Sequence, residues 1–331
     1  MTVTFLPEKT ELKTNGRTFF RDGKLHLTWV GTGFSFNVKG ADRVMLSIDK
    51  FTEGVERYLK ITADNREQVH AVSTGTENIV VLLGEGETHH LEIVRITEGA
   101  TDIVISGITL YGDAPEMLCA PKSVRKKIEF IGDSLTAGYG NLGDASTPVY
   151  HSYEQDCTKA FSGITARMLD LEYSLVTVSG KGISHNWDGS TDFMIPEFYQ
   201  YISRETKEPW DFRSWVPDII VINAGSNDAA SKTPGDVVAA AAKDFLKFVR
   251  AHNPDAQIVY AYGIDDKGLA EPLSRTVDEL AATDDKICFF KFGDVFCKPD
   301  EKGANSHPNV KSHKQSAKQL CEFLISKGIV K

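Results

Sequence analysis

The periodicity of this chain changes once, and that change limits what it can fold into. From about Arg17 to Leu110, apolar residues alternate with polar ones: Leu25, Leu27 and Trp29, then Phe34, Phe36 and Val38, then Val44, Leu46 and Ile48. Similar runs cover 79–83, 91–96 and 103–108, and breaks such as Asp22-Gly23, Gly31-Thr32-Gly33 and Gly84-Glu85-Gly86 separate many of them. Successive side chains of a strand point to opposite faces, so period-two runs without a helical stretch predict an all-β sandwich over residues 1–114. Residues 115–126 are polar, contain Pro115 and Pro121, and read as a linker. Beyond Lys127 the pattern becomes strand, loop, helix. Strands are expected at 128–131, 174–178, 219–223, 258–262 and 287–291, and helices at 160–169, 237–252 and 314–327. In the second helix Val238, Ala241, Ala242, Phe245, Phe248 and Val249 recur at helical spacing. Strands alternating with helices predict an α/β domain over 127–331, a parallel sheet covered on both faces.

Charge and cysteine usage narrow the setting. Lys and Arg number 37 against 46 Asp and Glu, a net charge of −9. That balance argues against nucleic acid or an anionic membrane as a partner. No apolar run approaches the ~18 residues of a membrane span. The first residues lack a basic stretch followed by an apolar core, so no secretion signal is expected. Cys119, Cys157, Cys288, Cys297 and Cys321 are odd in number, dispersed and without a Cys-x-x-Cys pair. They read as reduced structural thiols, and a cytoplasmic location is the expectation. No His-Glu-x-x-His or clustered Cys/His set points to a metal, and no cofactor is expected.

The chemistry concentrates at strand ends. The expected strand at Ile128, Phe130 and Ile131 stops at Gly132-Asp133, which places Ser134 at its carboxyl end, where open α/β sheets hold their ligands. A serine hydroxyl is a poor nucleophile unless a base and a site for negative charge meet it. Gly180 follows the second α/β strand, and a glycine there lets a backbone N–H approach a ligand closely. Asn227, in Gly225-Ser226-Asn227-Asp228, brings a side-chain amide to the end of the third. His307 stands in Asn305-Ser306-His307-Pro308-Asn309, before the last helix. Plainer readings exist for each feature. Ser134 could only cap a helix, Asn227 and Asp228 could only turn the chain, and Gly182 competes with Gly180. Asp133 reads as structural, and His89, His90 and His313 as solvated surface or strand residues. Gly138-Tyr139-Gly140-Asn141-Leu142-Gly143 spells a dinucleotide fingerprint, but it lies several residues past the strand and no amphipathic helix follows. Chance explains it better.

Ser134 in Gly-Asp-Ser-Leu, Gly180, Asn227 and His307, in that order, resemble the four blocks of the SGNH, or GDSL-type, hydrolases. The N-terminal β-sandwich, the Trp210–Asp218 stretch before the third block and the His-Pro pair look like carbohydrate esterase family 2. The resemblance implies an SGNH-type, flavodoxin-like three-layer sheet preceded by a jelly-roll sandwich. It also implies an acetyl esterase acting on acetylated manno- or xylo-oligosaccharides, which for a cytoplasmic protein are imported fragments. Implied roles are Ser134 as nucleophile, His307 as base, and the N–H groups of Ser134 and Gly180 with the Asn227 amide as oxyanion donors. Two positions depart from the pattern. Ala304 stands where an Asp three residues before the histidine is usual, so a main-chain carbonyl is expected to hold Nδ1 of His307. Ser306 stands where some relatives carry a sugar-stacking aromatic, and Trp187, Tyr139 and Tyr199 are the candidate substitutes. A lipase or thioesterase on the same scaffold, and a carbohydrate-binding protein with a decayed site, are the rival readings.

Overall fold

A computed structural model describes residues 1–49, 54–119, 123–296 and 298–330. The chain divides into two compact units, Met1–Val124 with Ile202–Glu208, and Arg125–Tyr201 with Pro209–Lys331.

The first unit is built from two six-stranded antiparallel sheets. One has the order β3 (Thr18–Arg21), β4 (Lys24–Leu27), β11 (Ile103–Tyr111), β6 (Arg43–Ile48), β9 (Asn78–Leu82), with β1 (Thr2–Phe5) beside β11. The other has the order β12 (Glu116–Leu118), β5 (Gly33–Lys39), β10 (Thr88–Arg95), β7 (Arg57–Ala63), β8 (Arg66–Val72), with β2 (Lys13–Asn15) beside β5. The alternation read from the sequence is the burial pattern observed. Leu25, Leu46 and Ile105 from one sheet and Phe36, Leu59 and Ile93 from the other share one buried core. Three differences from the sequence reading stand out. Strand pairing begins at Thr2, ahead of Arg17. The supposed linker contains β12, which pairs with β5, so the units part at Val124 and not at residue 114. Residues 202–208, far along the chain, also belong to this unit; there Trp29 Nε1 donates to Ile202 O (2.9 Å) and Ser203 Oγ to Asp102 Oδ1 (2.7 Å).

The second unit holds β13 (Lys127–Gly132), β14 (Glu172–Thr177), β15 (Ile219–Asn223), β16 (Gln257–Tyr262) and β17 (Ile287–Lys291). All neighbours are parallel, in the order β14-β13-β15-β16-β17. Counted within the unit this is 2-1-3-4-5, the flavodoxin-like order, whose switch point lies at the carboxyl end of the first strand. Helix α2 (Phe161–Met168) packs on α7 (Val310–Ser326), and α5 (Gly235–His252) packs on α6 (Ala270–Ala281). Helix α6 was not anticipated. Its Pro272 lies in the first turn, where proline loses no intrahelical bond. Three one-turn helices, α1 (Ser134–Ala137), α3 (Ile195–Phe198) and α4 (Ser226–Ala230), lie in the connections that follow β13, β14 and β15. Among the described residues no helix is long and apolar enough to cross a membrane. Cys119, Cys157, Cys288 and Cys321 are free thiols, and Cys297 lies outside the described residues.

Candidate active site

The turn out of β13 is set by Asp133. Its Oδ1 accepts the Leu135 N–H (2.9 Å) and so caps α1. Its Oδ2 accepts Ser226 Oγ (2.7 Å) and Asn227 Nδ2 (2.9 Å). One buried carboxylate therefore ties the serine turn to the turn after β15. Ser134 opens α1, where the helix leaves the first N–H groups without intrahelical partners.

His307 reaches Ser134 from the far end of the chain. Its Nε2 lies 2.9 Å from Ser134 Oγ, and its Nδ1 lies 3.0 Å from Asn305 O. The second contact fixes the tautomer: with Nδ1–H donating to the carbonyl, Nε2 is the acceptor for the serine proton. The loop that does this is unusual. Asn305 (φ 49°) and Ser306 (φ 56°) are consecutive left-handed residues, a conformation non-glycine residues seldom adopt. Around them Gly303 N–H donates to His307 O (2.7 Å), His307 N–H to Ala304 O (3.1 Å), and Asn305 N–H to Thr147 O (2.9 Å). Asn309 then caps α7 by accepting from Lys311 and Ser312 N–H.

The glycines of the false dinucleotide motif seat this loop. Ala304 N–H donates to Gly140 O at 2.9 Å. A Cβ on Gly143 would meet Ala304 Cβ at 2.4 Å, and one on Gly303 would meet Gly140 O at 2.3 Å. The motif therefore has a packing role that its spelling conceals. Ala304 is fully buried in that contact.

On the opposite wall, Gly180 (φ 80°) accepts the Trp187 N–H through its carbonyl (3.0 Å), and a Cβ there would sit 2.8 Å from Trp187 Cδ1. Asn227 Nδ2 donates to Asp133 Oδ2 (2.9 Å) and to Lys181 O (3.0 Å), so both amide hydrogens are engaged within the protein. Asp228, fully buried, accepts three successive N–H groups, from Ile183 (2.9 Å), Ser184 (2.7 Å) and His185 (2.8 Å). It fixes the loop after Gly180 and is more than a turn residue.

Ser134, Gly180, Asn227 and His307 line one cavity of about 600 Å³. Trp187 and Tyr139 line it too. Trp187 is 64% exposed, and the Tyr139 ring stacks on Tyr150 (3.8 Å between centroids) and lies 4.7 Å from the His307 ring. Tyr199 does not. It is fully buried among Phe212, Phe245 and Phe248, with its hydroxyl on Glu129 Oε2 (2.8 Å), so it is a core residue and no sugar platform. Phe296, Asp265 and Lys267 complete the cavity wall without any motif to announce them. Desolvation holds His307 below the usual histidine range, partly opposed by the Asn305 carbonyl and the Asp265 charge. His313, expected at the surface, is buried on α7, where its Nδ1 accepts the Phe161 N–H (3.1 Å) and burial pushes its pKa down to about 3.

Two family models match the chain. Residues 130–315 match the family model described as GDSL-like lipase/acylhydrolase, and residues 14–121 match the N-terminal domain of carbohydrate esterase 2. The chain is 29% identical over 324 residues to the cellulase/esterase CelE of Acetivibrio thermocellus, covering 92% of this chain but only 38% of that protein. It is 26% identical over 273 residues to an acetylxylan esterase/glucomannan deacetylase of Cellvibrio japonicus, covering 79% of this chain and 74% of that one. A family two carbohydrate esterase from Clostridium thermocellum, solved with cellohexaose, superimposes with a TM-score of 0.86 at 26% identity over 96% of this chain and all (100%) of that one. An acetyl xylan esterase from the rumen bacterium Butyrivibrio proteoclasticus shares the fold, with a TM-score of 0.89 at 21% identity over 99% and 100% of the two chains.

Proposed function

Because this chain belongs to the GDSL-like lipase/acylhydrolase family and, by its two matched domains together, to carbohydrate esterase family 2, we propose that it removes O-acetyl groups from hemicellulose-type oligosaccharides. The substrates are acetylated manno- or xylo-oligosaccharides. One observation carries the reading: Ser134 Oγ stands 2.9 Å from His307 Nε2 on the wall of a cavity that Gly180 and Asn227 share.

Ser134 Oγ attacks the acetyl carbonyl while His307 Nε2 takes its proton. The Ser134 and Gly180 N–H groups receive the developing oxyanion, and Asn227 turns one amide hydrogen toward it from Lys181 O. When the ester C–O bond breaks, His307 returns the proton to the departing sugar hydroxyl. Water, deprotonated by His307, then attacks the acetyl-enzyme, releasing acetate and restoring the Ser134 hydroxyl. Trp187 and Tyr139 offer aromatic faces to the apolar side of a sugar ring. Phe296 adds a third aromatic side chain to the same wall. We place the reaction in the cytoplasm on imported fragments, a reading the free thiols support.

Mass spectrometry of acetylated mannan and xylan fragments tests the reading. Incubation should remove 42 Da steps (about the mass of one acetyl substituent, by the ester chemistry above), and a Ser134→Ala enzyme should leave the fragments intact. A preference for nitrophenyl octanoate over nitrophenyl acetate would transfer the case to a lipase or thioesterase.

A further inference from the structure

The loop after β16 brings two charges into the site. Asp265 and Lys267 line the same cavity as Ser134 and His307. They pair with each other, Lys267 Nζ lying 2.8 Å from Asp265 Oδ2. Asp266, between them, points elsewhere, to Lys291 Nζ at the end of β17 (2.9 Å). The backbone is fixed as well: Lys267 N–H donates to the Tyr262 hydroxyl (3.2 Å) and Gly268 N–H to Asp266 Oδ1 (2.9 Å). The loop thus keeps one carboxylate and one ammonium on the cavity wall.

A histidine that takes a serine's proton becomes an imidazolium, and serine hydrolases usually place a buried carboxylate beside it. Here Nδ1 faces a peptide carbonyl, which is a dipole and carries no full charge. Among the described residues the charged and titratable groups packed around the imidazole and its loop begin with Tyr139, whose ring lies 4.7 Å from that of His307, and Glu154, buried beside Gly143 and Ala304 with its Oε2 accepting the His151 N–H (2.7 Å). On α7, His313 is buried and neutral. Behind α1, Asp133 is enclosed by the Leu135, Ser226 and Asn227 donors. On the loop after β14, Lys181 is paired with Asp192 (3.1 Å), and on α4 Asp228 is enclosed by three backbone N–H groups of that loop. Asp265 and Lys267 are the pair facing the same cavity as the imidazole.

We propose that Asp265 supplies through space the negative charge that His307 lacks on its own loop, and that Lys267 sets how much of that charge the imidazole feels. In this role Asp265 acts through His307, so it is a positioning residue in the electrostatic sense. The inference rests on the Ser134–His307 esterase reading for its catalytic meaning. Its direction agrees with the opposed influences of the two side chains, Asp265 raising the basicity of His307 and Lys267 lowering it.

Asp265→Asn and Lys267→Met test it, in the full-length enzyme, by two readouts. The first is the pH profile of kcat/KM on nitrophenyl acetate; the second is an NMR titration of the His307 imidazole. Asp265→Asn should move the acid limb and the NMR midpoint to lower pH and cut the plateau rate several-fold. Lys267→Met should move both to higher pH and raise the plateau. Added 0.5 M salt, a concentration at which the Debye length falls to roughly 4 Å, should narrow the gap between the variants. Midpoints that stay put, or move the same way in both variants, overturn the proposal. A fall in rate without a midpoint shift also overturns it, because Asp265 would then be contacting substrate. The NMR arm needs no turnover: unmoved midpoints in an active acetyl esterase sink this inference alone, whereas shifted midpoints in a protein that hydrolyses no acetyl ester sink the esterase reading and leave the coupling standing.

Discussion

Ser134 and His307 are 173 positions apart in the chain yet share a hydrogen bond of 2.9 Å. His307 must be neutral to act as a base, so activity should rise with pH through its titration. Burial lowers its pKa, and the acid limb should therefore fall below the ~6.5 of an unperturbed histidine. A pH profile of kcat/KM on nitrophenyl acetate checks this, and a limb above that value would remove His307 from the role. Asn227→Ala should lower kcat roughly 10²–10³-fold, the usual loss for one oxyanion donor. Its effect on stability should stay near ~1 kcal/mol, because Asp133 keeps its Leu135 and Ser226 partners. Steady-state kinetics and a thermal melt of the same preparation separate the two effects.

The connections between strands explain what could and could not be read beforehand. Ser134, Gly180 and Asn227 each follow a strand whose apolar run is unmistakable, and His307 precedes a well-patterned helix. Position relative to an element was thus visible for all four. Asp265, Lys267 and Phe296 sit in loops without periodicity, and only the folded chain brings them to the cavity. Tyr199 misled because one turn of helix, α3, is too short to reveal which side faces the core. Asp228 hid behind Asn227, since turn chemistry alone accounts for both residue types. In the glycine segment, Gly143→Ala would drive a methyl group against Ala304 Cβ and Glu154 Oε1. The loop bearing His307 should then shift, and a misplacement of about 1 Å at such a site costs roughly 100-fold in rate. Unchanged circular dichroism beside a large loss of kcat is the expected outcome; unchanged kcat would mean that the loop absorbs the methyl elsewhere.

Stability of the folded chain carries its own pH signature through His313. Its folded pKa of about 3 lies below the ~6.5 of the unfolded chain, so between those values the unfolded state binds the extra proton. Stability therefore falls as pH drops from about 6.5 toward 3 and levels off below. His313→Gln keeps an acceptor for the Phe161 N–H and has no such proton to gain. Melting temperatures of the two proteins from pH 7 to 4 (a range of roughly three units spanning the histidine titration) should diverge least at the neutral end, with the variant losing less on acidification. Parallel curves would assign the acid sensitivity to the carboxylates instead.

The oxygen that orients His307 belongs to a peptide bond. A triad acid is encoded by a codon, and a single missense change erases it. Asn305 can be exchanged for another amino acid and the carbonyl stays, provided the newcomer tolerates the left-handed twist at φ 49°. Mutational drift can therefore disable this dyad by altering how the main chain bends, through residues such as Gly140 or Thr147 that never meet the imidazole, more readily than by replacing its partner.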